Sequence, residues 1–198
     1  MLETQNNSFK DTVRIADTTG NPAPLGLLAF GMTTVLLNLH NAGLFAMGST
    51  IFAMGIFFGG IAQIIAGIME WKKNNTFGTT AFVSYGFFWI SLVGLILMPV
   101  LGWSSPLQTE ALVSFLAIWG LFSFVMFVIT LRLSRALQVV FGLLTVLFLL
   151  LITGNATGSV AVLQIAGIIG IICGLSAMYT GLGQVMNEVY KEQVIQLG

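Results

Sequence analysis

Charge falls in blocks along this chain of 198 residues. No Asp, Glu, Lys or Arg lies between Asp17 and Glu70. Between Lys73 and Arg132 there is only Glu110, and between Arg135 and Glu188 there is none. Each gap is long enough for two passes of about 20 residues through the hydrocarbon core of a bilayer. With 7% of residues charged and 57% hydrophobic, against roughly 25% charged in a soluble domain, the chain cannot cover itself in water. It reads as an all-α integral membrane protein with six transmembrane helices and the lipid bilayer as a partner.

Polar and Gly/Pro punctuation divides each gap in two. The expected spans are 24–39, 49–69, 79–99, 110–131, 136–152 and 160–183, separated by short breaks, the fifth of them at 153–159. Short connections make consecutive helices antiparallel neighbours. The seven cations, Lys10, Arg14, Lys72, Lys73, Arg132, Arg135 and Lys191, fall in the N-terminal tail, the second and fourth loops and the C-terminal tail. With six spans all four segments share one side, and the positive-inside rule makes that side cytoplasmic. This places the protein in the plasma (inner) membrane with both termini inside. Residues 1–20 form a cytoplasmic tail, 21–184 the transmembrane domain and 185–198 a second cytoplasmic tail. The first tail carries Glu3, Asp11 and Asp17 and is too polar for a signal peptide. Phe9, Val13 and Ala16 within it have helical spacing, which fits a short interfacial helix as well as a loose tail.

Small residues recur at close-packing intervals: Gly55, Gly59 and Gly67 in the second span, and Gly167, Gly170, Gly174, Ala177 and Gly181 in the sixth. Such rows let helix backbones approach in lipid, within the chain or between subunits. Phe30-Gly31-Met32-Thr33-Thr34-Val35-Leu36 matches Phe141-Gly142-Leu143-Leu144-Thr145-Val146-Leu147 at five of seven positions, with Tyr85-Gly86 almost midway. The spacing suggests three helix hairpins in succession.

Chemistry narrows further by what the spans contain. His40 is the one histidine and Cys173 the one cysteine. No His-Glu-x-x-His helix, paired deep carboxylates or serine with a positioned base can be assembled, so an enzyme is not expected, nor is a metal or other cofactor. Zero net charge gives no footprint for nucleic acid. Deep ionisable groups, the usual mark of pumps, are missing; Glu70 stands at the inner end of its span and Glu110 at the outer end of another. Neutral polar residues remain, among them Asn21, Thr33, Thr34, Asn38, Asn41, Gln63, Thr145 and Asn155. A polar side chain in lipid must pair or line a wet cavity. Thr33 and Thr34 have the alternative of bonding their own helix, and Glu70 is a candidate for the cytoplasmic mouth. Asn38-Leu39-His40-Asn41 suits an outer vestibule. Asn21-Pro22-Ala23-Pro24 suits helix initiation, with free N–H groups at an inner entrance where a carboxylate is welcome. A pore of this kind holds a small polar solute weakly and passes it quickly.

That Asn21–Leu27 segment resembles the signature of the acetate uptake transporter family, which includes the succinate–acetate permeases. Phe30-Gly31-Met32-Thr33-Thr34 with Leu36-Leu37-Asn38-Leu39-His40-Asn41 is similar to the family's first helix. Ala53-Met54-Gly55-Ile56-Phe57 and Gly59-Gly60-Ile61-Ala62-Gln63 are similar to its second. Asn75-Thr76-Phe77-Gly78 and Ser84-Tyr85-Gly86 are similar to its third, and Leu144-Thr145-Val146-Leu147-Phe148 to its fifth. The resemblance implies a homo-hexameric ring with one pore per subunit, transporting acetate, with succinate and other short carboxylates in some members. It places the pore constriction on Phe30, Tyr85 and Leu144. Channel-like conduction and proton-coupled symport both fit. A urea or amide channel and a non-transporting membrane sensor or scaffold are the competing classes.

Overall fold

The structure is a computed structural model and describes residues 18–198; Phe9, Val13 and Ala16, whose spacing fits an interfacial helix, lie outside the described residues. Among the described residues six helices are long and apolar enough to cross a membrane. They are α1 (Ala23–Asn41), α2 (Ser49–Lys72), α3 (Thr76–Val100), α4 (Thr109–Thr130), α5 (Arg135–Thr157) and α6 (Val160–Tyr190).

Local chemistry sets the helix ends. Asn75, Ser134 and Ser159 cap α3, α5 and α6, their side-chain oxygens accepting from the N–H of Gly78, Leu137 and Val162. At α1 the cap is Pro22, one place after the expected Asn21, whose Oδ1 accepts from the Ala23 N–H at 3.1 Å. Two helices outrun their expected ends by more than a turn. The fifth, expected to stop at 152, continues through Gly154 and Asn155 to Thr157. Thr153, Asn155 and Thr157 look like loop residues in the sequence, but each bonds the carbonyl four residues back, at 2.7–2.8 Å, so the helix can carry them. The sixth runs on to Tyr190 and ends on Lys191 in the left-handed region, so the first six residues assigned to the C-terminal tail are helical. Within α2, Met54–Ala62 is π-helical, a nine-residue stretch that no hydrophobic pattern indicated.

The α1 start, the α2–α3 turn, the α4–α5 turn and the end of α6 meet at one face. There Asn21 Nδ2 donates to Gln184 Oε1 at 3.1 Å, Lys73 Nζ donates to the Thr19 carbonyl and the Ala136 N–H donates to the Leu197 carbonyl at 2.9 Å. The five described cations stand at this face.

Around the bundle, α3 packs on α2, α2 on α1, α1 on α6, α6 on α5 and α5 on α4. The α1–α6 contact is the closest of these. A Cβ added to Gly174 would stand 2.6 Å from the Gly31 carbonyl oxygen, and one added to Gly170 would stand 2.1 Å from the Asn38 side chain. The small-residue row of the sixth span is therefore packing within the chain. So is that of the second, where Gly59 faces Thr33 of α1 and Gly67 faces Val83 of α3.

The ring is not closed at backbone level between α3 and α4. Aromatic side chains bridge it. Phe88 stacks on Phe115 with centroids 5.6 Å apart and meets Trp119 edge-on at 5.2 Å, and Tyr85 meets Phe122 at 5.3 Å. The expected succession of three hairpins thus holds for the contacts of α1 with α2 and of α5 with α6, while α3 and α4 stand apart.

Candidate substrate pathway

Three spaces line up from one face of the bundle to the other. At the face bearing the cations, Thr19, Asn21, Glu70, Lys73, Asn75 and Glu188 surround an open mouth of about 470 Å³. In the middle is a cavity of about 20 Å³, room for roughly one water. Leu27 and Phe30 of α1, Gln63 of α2, Ala81, Phe82 and Tyr85 of α3, and Val140, Phe141 and Leu144 of α5 enclose it. Near the opposite face a vestibule of about 210 Å³ contains Asn41 and Asn155 among apolar walls from Leu37, Phe88, Leu112 and Leu151.

The neck is built on α-helical depth. Phe30, Tyr85 and Leu144, at 6%, 2% and 4% exposure, come from three helices and meet at one level. The rings of Phe30 and Tyr85 are 5.7 Å apart. The aromatic–Gly repeat acquires a meaning here, because Phe30, Tyr85 and Phe141 all line the cavity. Phe141 was legible as a member of that repeat but was not assigned to the neck. Gln63 is 1% exposed and its Oε1 has no hydrogen-bond partner, an unusual state for a buried amide.

The remaining sequence candidates divide. Asn21 and Glu70 stand in the inner mouth, and Asn41 and Asn155 in the vestibule. Glu70 is 2% exposed. Asn75 Nδ2 donates to its Oε2 at 2.6 Å, while Oε1 is unpartnered. Thr33, Thr34, Asn38 and Thr145 lie elsewhere. Thr33 wedges against Gly59 and its hydroxyl reaches towards the Met54 carbonyl at 3.5 Å, in the π-helical stretch. Thr145 donates to the Phe141 carbonyl at 2.8 Å, bonding its own helix. Asn38 Nδ2 donates to the Thr34 carbonyl at 2.9 Å, its Oδ1 accepts from Asn41 Nδ2 at 3.0 Å, and the Thr34 hydroxyl is buried without a partner. Asn38 thereby holds Asn41 at the vestibule. His40 Nδ1 is 2.9 Å from the Phe45 carbonyl, a loop contact.

One residue of the neck's support was missed altogether. Ser123 of α4 is fully buried and its Oγ lies 2.8 Å from the Tyr85 hydroxyl. It sits alone in an apolar run, where no spacing signals a role.

The profile of the GPR1/FUN34/yaaH family matches residues 6–196. The chain belongs to this family. One family relative is the succinate-acetate/proton symporter SatP of Escherichia coli K12, 55% identical over 178 residues that span 90% of this chain and 95% of that one. Another is the ammonia transport outward protein 2 of Saccharomyces cerevisiae, 40% identical over 80% of this chain and 59% of its own length. A solved structure of the bacterial acetate channel SatP is 54% identical and superposes with a TM-score of 0.89, covering 91% of this chain and 99% of that one. The fold is therefore that of a GPR1/FUN34/yaaH membrane protein with six helices.

Proposed function

We propose that this protein transports acetate and other short carboxylates, succinate among them, through a narrow, channel-like pore. One observation carries the reading: a cavity ringed by Phe30, Tyr85, Leu144 and Gln63 stands between an inner mouth and an outer vestibule. The printed activities of the SatP relatives support it. Apolar neck walls suit the methyl group of acetate. Since the cavity holds about one water, the rings give way as the substrate passes. Asn21, Glu70 and Lys73 receive it at the mouth, and Asn41 and Asn155 at the vestibule.

The clustering of cations at the mouth face supports a cytoplasmic position for that face and for both termini, in a cell whose inner membrane holds the protein. The assembly we propose is a hexamer with a pore in each subunit, and the protein catalyses no covalent step. The test is uptake of radiolabelled acetate into proteoliposomes, with and without an imposed pH gradient. Protein-dependent uptake that succinate competes for and urea does not is the expected result. Uptake no faster than in empty vesicles contradicts the proposal.

The second reading, symport, is favoured by the name of the Escherichia coli relative. Coupling through the protein itself needs a protonatable carrier along the path, for which Glu70 is the available carboxyl. Glu70→Gln separates the two: channel-like passage survives it, whereas coupled uptake is lost.

A further inference from the structure

Two helices that run outward from the cation-bearing face carry the same order of residues. On α1 it is Phe30, Leu37 and Asn41; on α5 it is Leu144, Leu151 and Asn155. Steps of seven and eleven residues return to one helix face, within about 20° at 3.6 residues per turn. At 1.5 Å per residue each Leu stands about 10 Å, and each Asn about 16 Å, further out than its neck residue. Phe30 and Leu144 line the neck, and the two leucines and two asparagines line the outer vestibule. The vestibule is thus ordered along its depth, with amides at the rim, leucines below them and the neck at the bottom.

The other walls keep that order. Phe88 and Leu92 of α3 and Leu112 and Leu116 of α4 add apolar surface, and among the described residues that line the space only Asn41 and Asn155 are polar and none is charged. Asn41 Nδ2 donates to Asn38 Oδ1 at 3.0 Å, and Asn155 Nδ2 donates to the Leu151 carbonyl at 2.8 Å. A primary amide has two N–H groups. Each Asn therefore keeps a second N–H, and its carbonyl oxygen, without a partner among the described residues. The inner mouth has the opposite make-up, since every residue lining it is polar or charged.

An anion with a straight alkyl tail is complementary to the outer space and not to the inner one. Its head accepts from the amides at the rim, where water still reaches it, and its tail lies inward along the leucines. Each methylene buried there adds to affinity. Acetate has too little apolar surface to be held, which suits conduction, because conduction needs weak binding. A longer tail is held for longer, while its head must still leave water to pass a neck of about 20 Å³. Dwell time grows with chain length and the barrier below does not fall. Resting on the transport reading above, we propose that the outer vestibule is a binding site for medium-chain carboxylates such as octanoate, which plug the pore at the end away from the cations. The about 210 Å³ of the vestibule takes the tail that the neck does not.

The experiment is initial uptake of radiolabelled acetate into proteoliposomes, strongly buffered at equal pH on both sides, against straight-chain carboxylates from propionate to octanoate. Octanesulfonate, which stays ionised, controls for acid carried through the lipid. The half-inhibitory concentration should fall about three- to fourfold per added methylene, and octanesulfonate should inhibit as octanoate does. Leu92→Asn combined with Leu112→Asn makes the wall polar and should flatten the dependence on length. Asn155→Leu removes a rim amide and should move the whole series to higher concentration with its slope kept. Wild-type inhibition that is independent of chain length overturns this inference alone and needs no variant to observe; a lipid tail already filling the vestibule would give that result. Inhibition by octanoate without inhibition by octanesulfonate also overturns it, as does a slope unchanged in the double variant or a series unmoved by Asn155→Leu. Absence of any protein-dependent acetate uptake overturns both this and the transport proposal.

Discussion

The α1–α6 seam and the α3–α4 gap close the same ring of helices by opposite means. At the seam, glycine brings backbone against backbone, with Gly31 and Gly174 each facing the other's carbonyl oxygen. At the gap no backbone contact of consequence is made, and Phe88, Phe115, Trp119 and Phe122 fill the distance with rings. Backbone packing has no slack, because an interior at crystal-like density transmits any added volume as strain. Aromatic side chains turn about two torsions and can yield without unfolding a helix. The neck is held between these two walls. Phe30 and Leu27 stand on the rigid one, while Tyr85 stands on the compliant one with its hydroxyl tied across the gap to Ser123.

Substitutions that exchange these properties should break the comparison in order of size. Gly174→Leu forces a side chain onto the Gly31 carbonyl, 2.6 Å from where its Cβ would stand. Overpacking costs about 1–3 kcal/mol and more where backbone is in the way, so loss of the monodisperse, helical protein in detergent is expected. A folded Gly174→Leu protein with an unchanged Tm means the seam is looser than described. Leu144→Ala enlarges the neck by the volume of an isobutyl group less a methyl. Uptake of propionate and butyrate relative to acetate should rise several-fold in vesicles, and unchanged size selection removes Leu144 from the neck. Phe115→Ala unstacks Phe88, a ring pair worth about 0.5–1.5 kcal/mol beyond its buried area. Thermal unfolding should fall by a few degrees while acetate flux rises, and a slower flux contradicts a compliant wall. The smallest effect belongs to Gly94→Ala on α3, whose Cβ meets nothing nearer than Met98 Cε at 3.7 Å. Its Tm should be unchanged or slightly higher, since alanine is favoured over glycine in a helix by about 0.5–1 kcal/mol.

The helix count was readable because charge is excluded from lipid, so the gaps between Asp17, Glu70, Arg132 and Glu188 had to be filled by spans. Helix ends were less readable. Thr153, Asn155 and Thr157 look like a loop in a list of residue types, yet each can return its polar group to its own helix. The same ambiguity affects the pathway. Thr33, Thr34, Asn38 and Thr145 are polar residues within spans, while Asn21, Glu70, Asn41 and Asn155 are polar residues at or near span ends. Only three-dimensional packing separates those that bond or pack within the bundle from those that face a space. The π-helical stretch of α2 is a matter of which carbonyl each N–H selects, and hydrophobic periodicity does not encode that. Ser123 was invisible for a related reason: its importance lies in a contact with Tyr85, 38 residues away in sequence.

The central claim is that substrate passes through the neck between the rigid and compliant walls. Its most direct test is acetate flux through Leu144→Trp in proteoliposomes, with size-exclusion profile and helicity checked against wild type. A Trp ring at Leu144 fills a cavity of about 20 Å³ several times over. The account predicts flux at the level of empty vesicles from a protein that remains folded. Wild-type flux through a folded Leu144→Trp protein contradicts it, because the route would then lie elsewhere in the bundle.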